Sequence, residues 1–314
     1  MGISSRAYRQ ETDYDAVARF LTRTYVQQAD HRGWSQPRWE YMHAHPDQHA
    51  KVPLFERFGV WEDDGEIVGL VHFEDRLGVV YVELDPRYPQ LKRPMLEHAI
   101  EHLPGELRAG KGVYVFLDDA DPEFGEIALD LGFAPKPEHA EVTSALSIPE
   151  PLPEVPVPEG FVLKSLADEF SVEKVHRVMH RGFNHEGEPP ADGLEGRRIK
   201  LNSPNLRRDL TVVAVAPSGD FVSFCGIWPV PESTICYIEP VATDPDYRRM
   251  GLGTAVVMEA VRRCALEGAT IAVVGSELEF YRSMGFEVTA RQTAWWRPAD
   301  GAPGGTEPTS KGAA

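Results

Sequence analysis

Residues 235–264 constrain this 314-residue chain more than any other stretch. Ile235 to Val241 is an apolar, β-branched run and predicts a strand. Asp244-Pro245-Asp246 ends it in turn residues. Arg248-Arg249-Met250-Gly251-Leu252-Gly253 follows, and Thr254 to Cys264 carries apolar residues at helical spacing. Glycines between a strand end and a helix start let the backbone come close to a ligand. The unpaired N–H groups of the first helical turn, with the positive end of the helix dipole, then attract a phosphate. Arg248 and Arg249 add charge at that mouth. The pattern is a diphosphate cradle. Val256 stands where a third dinucleotide-type glycine would be, and no Gly-Lys-Ser/Thr follows, so the dinucleotide and Walker motifs are excluded.

The run Arg248 to Gly253 resembles the acyl-coenzyme A signature of the GNAT acetyltransferase superfamily, Gln/Arg-x-x-Gly-x-Gly/Ala after a strand and a turn. Phe280-Tyr281-Arg282-Ser283-Met284-Gly285-Phe286 is similar to a second mark of that family at the expected distance. The resemblance covers residues 160 to 297. It implies acetyl-coenzyme A as co-substrate, lying in a V between the strand that ends near Val241 and the strand Thr270 to Val274. Pro240 points the same way by itself, because a proline inside a strand cannot donate to the ladder and marks a bulge or splayed edge. The resemblance implies that backbone groups of Val241, Ala242 and Thr243 pair with the pantetheine arm. Amides of Arg249, Met250, Gly251, Leu252, Gly253 and Thr254 would face the pyrophosphate, with Arg248 beside them.

Acetyl transfer to an amine needs a proton for the departing thiolate and a base for the amine. The resemblance implies Tyr281 for the first and Glu239 for the second. An ordinary Glu titrates near ~4.3 and an aliphatic amine near ~10.4, so Glu239 requires a shifted pKa or a water relay. No nucleophile elbow is evident. The family sets acceptor choice in the loop between its first two helices, which here holds His185, Glu186 and Glu188. Trp228, Trp295 and Trp296 are candidates to line the acceptor groove.

Lys plus Arg number 32 against 49 Asp plus Glu, a net charge of −17 that disfavours nucleic acid and would steer in cationic small molecules. Cys225, Cys236 and Cys264 are odd in number and unpaired in spacing, so they read as buried thiols of a reducing cytoplasm. No apolar run is long enough to span a bilayer, and the first residues carry no secretory pattern. His43-Ala44-His45-Pro46-Asp47-Gln48-His49 lacks the spacing of a zinc motif and reads as a polar loop, so no metal is expected.

Pro149 to Gly160, with prolines at alternating positions, is an extended linker. The expected organisation is therefore a first domain at 1–148, the linker at 149–160, a second domain at 161–297 and a disordered tail at 298–314. The halves repeat. Tyr81-Val82-Glu83 and Asp85-Pro86-Arg87-Tyr88 echo Tyr237-Ile238-Glu239 and Asp244-Pro245-Asp246-Tyr247, and Leu131-Gly132-Phe133 echoes Met284-Gly285-Phe286. The cradle does not repeat: Pro89, Lys92 and Pro94 stand for Arg248, Gly251 and Gly253, and Ala128 for Tyr281. The fold expected is α/β, two tandem GNAT-like domains, the first degenerate. The activity expected is acetyl transfer to a small amine, with a non-catalytic acyl-coenzyme A sensor as its rival. Two halves that pair internally point to a monomer.

Overall fold

The computed structural model describes residues 2–44, 51–152 and 154–299. The described chain falls into two compact units. Unit 1 takes the residues to His43, those up to Thr143 and those from Thr289 onward; unit 2 takes Ser144–Val288.

In the first repeat the elements run β1 (Ser4–Ala7), α1 (Gln10–Gln27), α2 (Gln36–His43), β2 (Gly59–Asp63), β3 (Glu66–Phe73), β4 (Val79–Leu84), α3 (Lys92–His102), β5 (Gly105–Leu107), β6 (Gly110–Asp118), α4 (Pro122–Asp130) and β7 (Ala134–Ser147). In α1, Val17, Phe20, Leu21 and Thr24 recur at helical spacing and are buried. α2 begins where Gly33 to Pro37 reads as a break, because a proline in a first helical turn lacks only an N–H that the helix does not use. His43 closes α2, its ring against Trp39 and its Nδ1 on the Trp39 carbonyl, while His45 and His49 lie outside the described residues. β1 to β4 form an antiparallel meander, β4 pairs in parallel with β6, and β5 folds back on β6.

The second repeat follows that order without a counterpart of β5: β8 (Val162–Ser165), α5 (Val172–Gly182), α6 (Gly193–Lys200), β9 (Val212–Val215), β10 (Phe221–Pro229), β11 (Ile235–Thr243), α7 (Leu252–Leu266), β12 (Ile271–Val274), α8 (Glu279–Arg282) and β13 (Glu287–Pro298). Ser171 caps α5, its hydroxyl accepting from the Lys174 N–H. β8 to β11 are antiparallel, and α7 provides the crossover that a parallel β11–β12 pair requires. β9 reads Val-Val-Ala-Val because both of its faces are covered. Val212 and Ala214 join a core with Val256, Val257 and Val261 of α7. Val213 and Val215 join a second core with Val175, Val178 and Met179 of α5. Side chains alternate along a strand, so α5 and α7 cover opposite faces.

The expected boundaries at 148 and 161 follow the sequence repeats, but the compact units do not. The last strand of each repeat completes the other unit's sheet. Residues Ser144–Ser147 of β7 pair with β12 in unit 2. Gln292–Pro298 of β13, all but Pro298 expected in the second domain, pair with Gly112–Asp118 of β6 in unit 1. Element order alone is blind to such an exchange, because both arrangements have the same order. Of the expected tail, Pro298 ends β13, and residues 300–314 lie outside the described ones.

Candidate active site

In unit 2, β11 and β12 pair at three positions, Ile235–Ile271, Cys236–Ala272 and Tyr237–Val273, and then part. β11 runs on to Thr243, still paired with β10 on its other edge through Val241–Cys225, Ala242–Phe224 and Thr243–Ser223. Between these ladders Glu239 and Pro240 bulge opposite Gly226. A Cβ on Gly226 would stand 2.4 Å from the Glu239 carbonyl oxygen, so the bulge requires glycine there. The Trp228 indole N–H donates to that same carbonyl at 2.8 Å.

Beyond Thr243 the chain turns on Asp244, whose buried carboxylate accepts from the Asp246 N–H and from Arg181 at 2.5 and 2.9 Å. Burial opposes its ionisation, but Arg181 and the Asp246 N–H outweigh that and hold it below the usual carboxylate range. Arg248 ties the turn down by donating to the Thr243 and Gly182 carbonyls, at 3.1 and 2.8 Å. Its guanidinium therefore braces the backbone rather than standing free at the mouth.

Arg249 and Gly251 both have positive φ, 61° and 86°, and turn the backbone into α7. The Ala255 N–H makes the first helical bond, to the Gly251 carbonyl, so the amides of Leu252, Gly253 and Thr254 lie ahead of any partner the helix can supply. The two glycines serve different needs. A Cβ on Gly251 would meet nothing within 4 Å, so its demand is conformational. One on Gly253 would lie 3.2 Å from both Phe280 and the Thr243 hydroxyl, so its demand is close packing of α7 on the strand end. Met250 is exposed.

Tyr281 sits in α8, just after β12, packed edge-on to Phe280 and Phe286. Burial raises its phenol pKa, with the charge of Glu239 adding to the rise, so the hydroxyl keeps its proton at neutral pH. Unit 2 thus brings Tyr281, Glu239 and the cradle to the place where β11 leaves β12. Sequence reasoning passed over Gly226, Arg181 and Gly182, and read Asp244 only as a turn residue and Cys225 only as a buried thiol. A Cβ on Gly182 would stand 2.7 Å from that of Ala242. A glycine in the last turn of α5 is the only sequence signal for that approach.

His185 and Glu186 are exposed after α5. His185 borders an open depression of about 310 Å³ that His176, Met179, His180 and Phe183 also line. Glu186 contributes its carbonyl to the His180 Nε2–H at 3.2 Å. Trp228 corrects the expectation of an acceptor-groove residue: it is fully buried and supports the bulge. Trp295 and Trp296 belong to unit 1, against Gly125 and Tyr114 respectively. Among the described residues no group of three or more His, Cys, Asp or Glu is arranged to hold a metal, and no helix is long and apolar enough to cross a membrane.

Residues 174–286 match the model of the Acetyltransferase (GNAT) family. The chain is 29% identical over 116 residues, 33% of its length, to the glucosamine 6-phosphate N-acetyltransferase of Trypanosoma brucei brucei, of which this covers 76%. Its fold is similar to a tandem GNAT protein from the clavulanic acid biosynthesis pathway, with TM-score 0.63 and 13% identity over 95% of this chain and 99% of that one. It is also similar to a GCN5-related N-acetyltransferase from Sphaerobacter thermophilus, with TM-score 0.58 and 18% identity over 94% and 95%. The family uses acetyl- or acyl-coenzyme A as co-substrate. Residues 174–286 thus match the GNAT acetyltransferase family, a match that supports an acyltransferase, and the chain shares its fold with solved GNAT proteins.

Proposed function

We propose that unit 2 transfers acetyl from acetyl-coenzyme A directly to the primary amine of a small molecule. The observation that carries the reading is the convergence of a protonated Tyr281, Glu239 and the glycine cradle at the parting of β11 from β12. The residues present suit the co-substrate. Two left-handed residues, Arg249 and the bare Gly251, open the first turn of α7 to a diphosphate. The strand edge of Val241, Ala242 and Thr243, past the end of the β12 ladder, suits an amide-bearing arm.

When bound, acetyl-coenzyme A supplies the acyl group and the thiol leaving group. The amine forms the new C–N bond as the C–S bond breaks. Glu239 receives the amine's proton through water as the C–N bond forms, when the nitrogen has become a far weaker base than the free amine. Tyr281, kept protonated by its buried setting, gives its proton to the leaving sulfur and is reprotonated from solvent. The acceptor enters from the side of His185 and Glu186, which supports a small polar amine. An amino sugar phosphate is the first to try, given the relative. The chain acts as a monomer in the cytoplasm.

The test is release of coenzyme A thiol across glucosamine 6-phosphate, glucosamine and putrescine, for the wild type, Tyr281→Phe and Gly251→Val. Release that depends on one amine and collapses in both variants supports the reading. Acetyl-coenzyme A binding lost in Gly251→Val, with no release for any amine, favours a sensor. A wild type that does not bind acetyl-coenzyme A overturns both.

A further inference from the structure

Unit 1 has a cleft of its own. β4 and β6 pair only at Val79–Tyr114 and Val80–Val115. Beyond those pairs a cavity of about 330 Å³ opens between Val82–Leu84 and Phe116–Asp118. At its rim Pro89 and Lys92 stand where the second repeat has Arg248 and Gly251. The Lys92 ammonium is held by Asp121 at 2.8 Å and Glu123 at 2.7 Å. Arg32 pairs with Asp118 and donates from Nε to Gln28 at 2.8 Å. Each cation of the cavity therefore has a carboxylate of its own.

One carboxylate is left over. Glu83, at the position of Glu239 in the second repeat, is 6% exposed and lines this cavity. Its Oε2 accepts from the Trp34 backbone N–H at 3.1 Å. Its Oε1 has no hydrogen-bond partner among the described residues. With Asp118, Asp121 and Glu123 against Arg32 and Lys92, carboxylates outnumber cations, while Phe116 and Phe124 give the cavity apolar wall. A buried carboxylate with an open acceptor favours a cationic donor over an anion or a neutral polyol. An acyl-coenzyme A diphosphate is disfavoured, since Pro89 and Pro94 remove amides from the turn that would hold it.

We propose that this cleft binds a small aliphatic primary ammonium compound, its nitrogen on Glu83 and its carbon chain against Phe116 and Phe124. The site shares no residue with the machinery of unit 2, so it stands whether or not that unit proves catalytic.

The probe is putrescine, titrated calorimetrically into the full chain at pH 8. The expected result is binding by the wild type, weakened at least tenfold in Glu83→Gln. Gln keeps an oxygen for the Trp34 N–H, and the far-UV spectrum of the variant checks its fold. Should Glu83→Gln misfold, crystals of the wild type grown with putrescine decide, with density beside Glu83 as the supporting result. Equal binding by a folded Glu83→Gln, no binding by the wild type at millimolar putrescine, or density confined to unit 2 would each overturn the proposal.

Discussion

Replacing Glu83 by Gln should stabilise the protein, and do so most strongly above pH 7. Burial raises the Glu83 carboxyl from its ordinary value of 4.5 to about 7, against the pull of the Trp34 N–H and the Arg38 charge and with Glu141 adding to the rise. The folded chain therefore holds the Glu83 proton more tightly than the unfolded chain does. The cost of ionising it is absent well below pH 4.5, grows as pH rises toward 7 and is complete above 7. At ~1.36 kcal/mol per pH unit, the gap between 4.5 and about 7 amounts to about 3 kcal/mol. Gln carries no such cost. Melting of the variant should exceed that of the wild type by roughly 6–12 °C at pH 8.5, at ~2–4 °C per kcal/mol, and by only roughly 2–4 °C at pH 5. Tryptophan emission is the readout, because every tryptophan except Trp228 belongs to unit 1. A gain of equal size at both pH values, or none at pH 8.5, would refute the reasoning.

Three further outcomes are expected. Tyr281→Phe should lower the rate of acetyl transfer about 100- to 1,000-fold with the dissociation constant of acetyl-coenzyme A unchanged, as befits a lost general acid; stopped-flow and binding assays separate the two. Gly226→Ala sets a methyl 2.4 Å from the Glu239 carbonyl, so it should cost about 2 kcal/mol in thermal melts and depress kcat/KM by closing the bulge; full activity would contradict that account. Asp244→Asn should destabilise by about 2 kcal/mol at pH 7, because it removes the ionised partner of Arg181. The wild-type carboxylate titrates lower in the folded chain, so its contribution is present above the unfolded value of ~3.9 and is lost as pH falls through the folded one. The gap between variant and wild type should therefore close toward pH 3.

The cradle was legible because its demands are local. A positive φ at Gly251 and a tight approach at Gly253 leave glycines in the sequence, and a strand followed by turn residues announces where they act. The parting of β11 from β12 was legible through Pro240 for the same reason. The Trp228 role was not. A tryptophan on a strand looks the same whether its indole faces a groove or reaches the Glu239 carbonyl eleven residues away, and only the bulge decides. Arg248 misled differently, because an arginine beside a cradle invites a phosphate while its geometry here spends it on the Thr243 and Gly182 carbonyls. Lys92 was legible as a loss of the cradle, but its pairing with Asp121 and Glu123, about thirty residues on, was not.

The exchanged strands set an order of assembly on the ribosome. β12 finds its β7 partner already made, since residues 144–147 precede it in the chain. β6 has no such fortune, because its Gly112–Asp118 edge is matched only by residues 292–298. About 180 residues separate the two, or roughly 10–40 s of synthesis at ~5–20 residues per second. Throughout that interval the nascent first repeat presents an open sheet edge, the kind of surface that recruits foreign strands and chaperones. Slower translation across the second repeat lengthens that exposure.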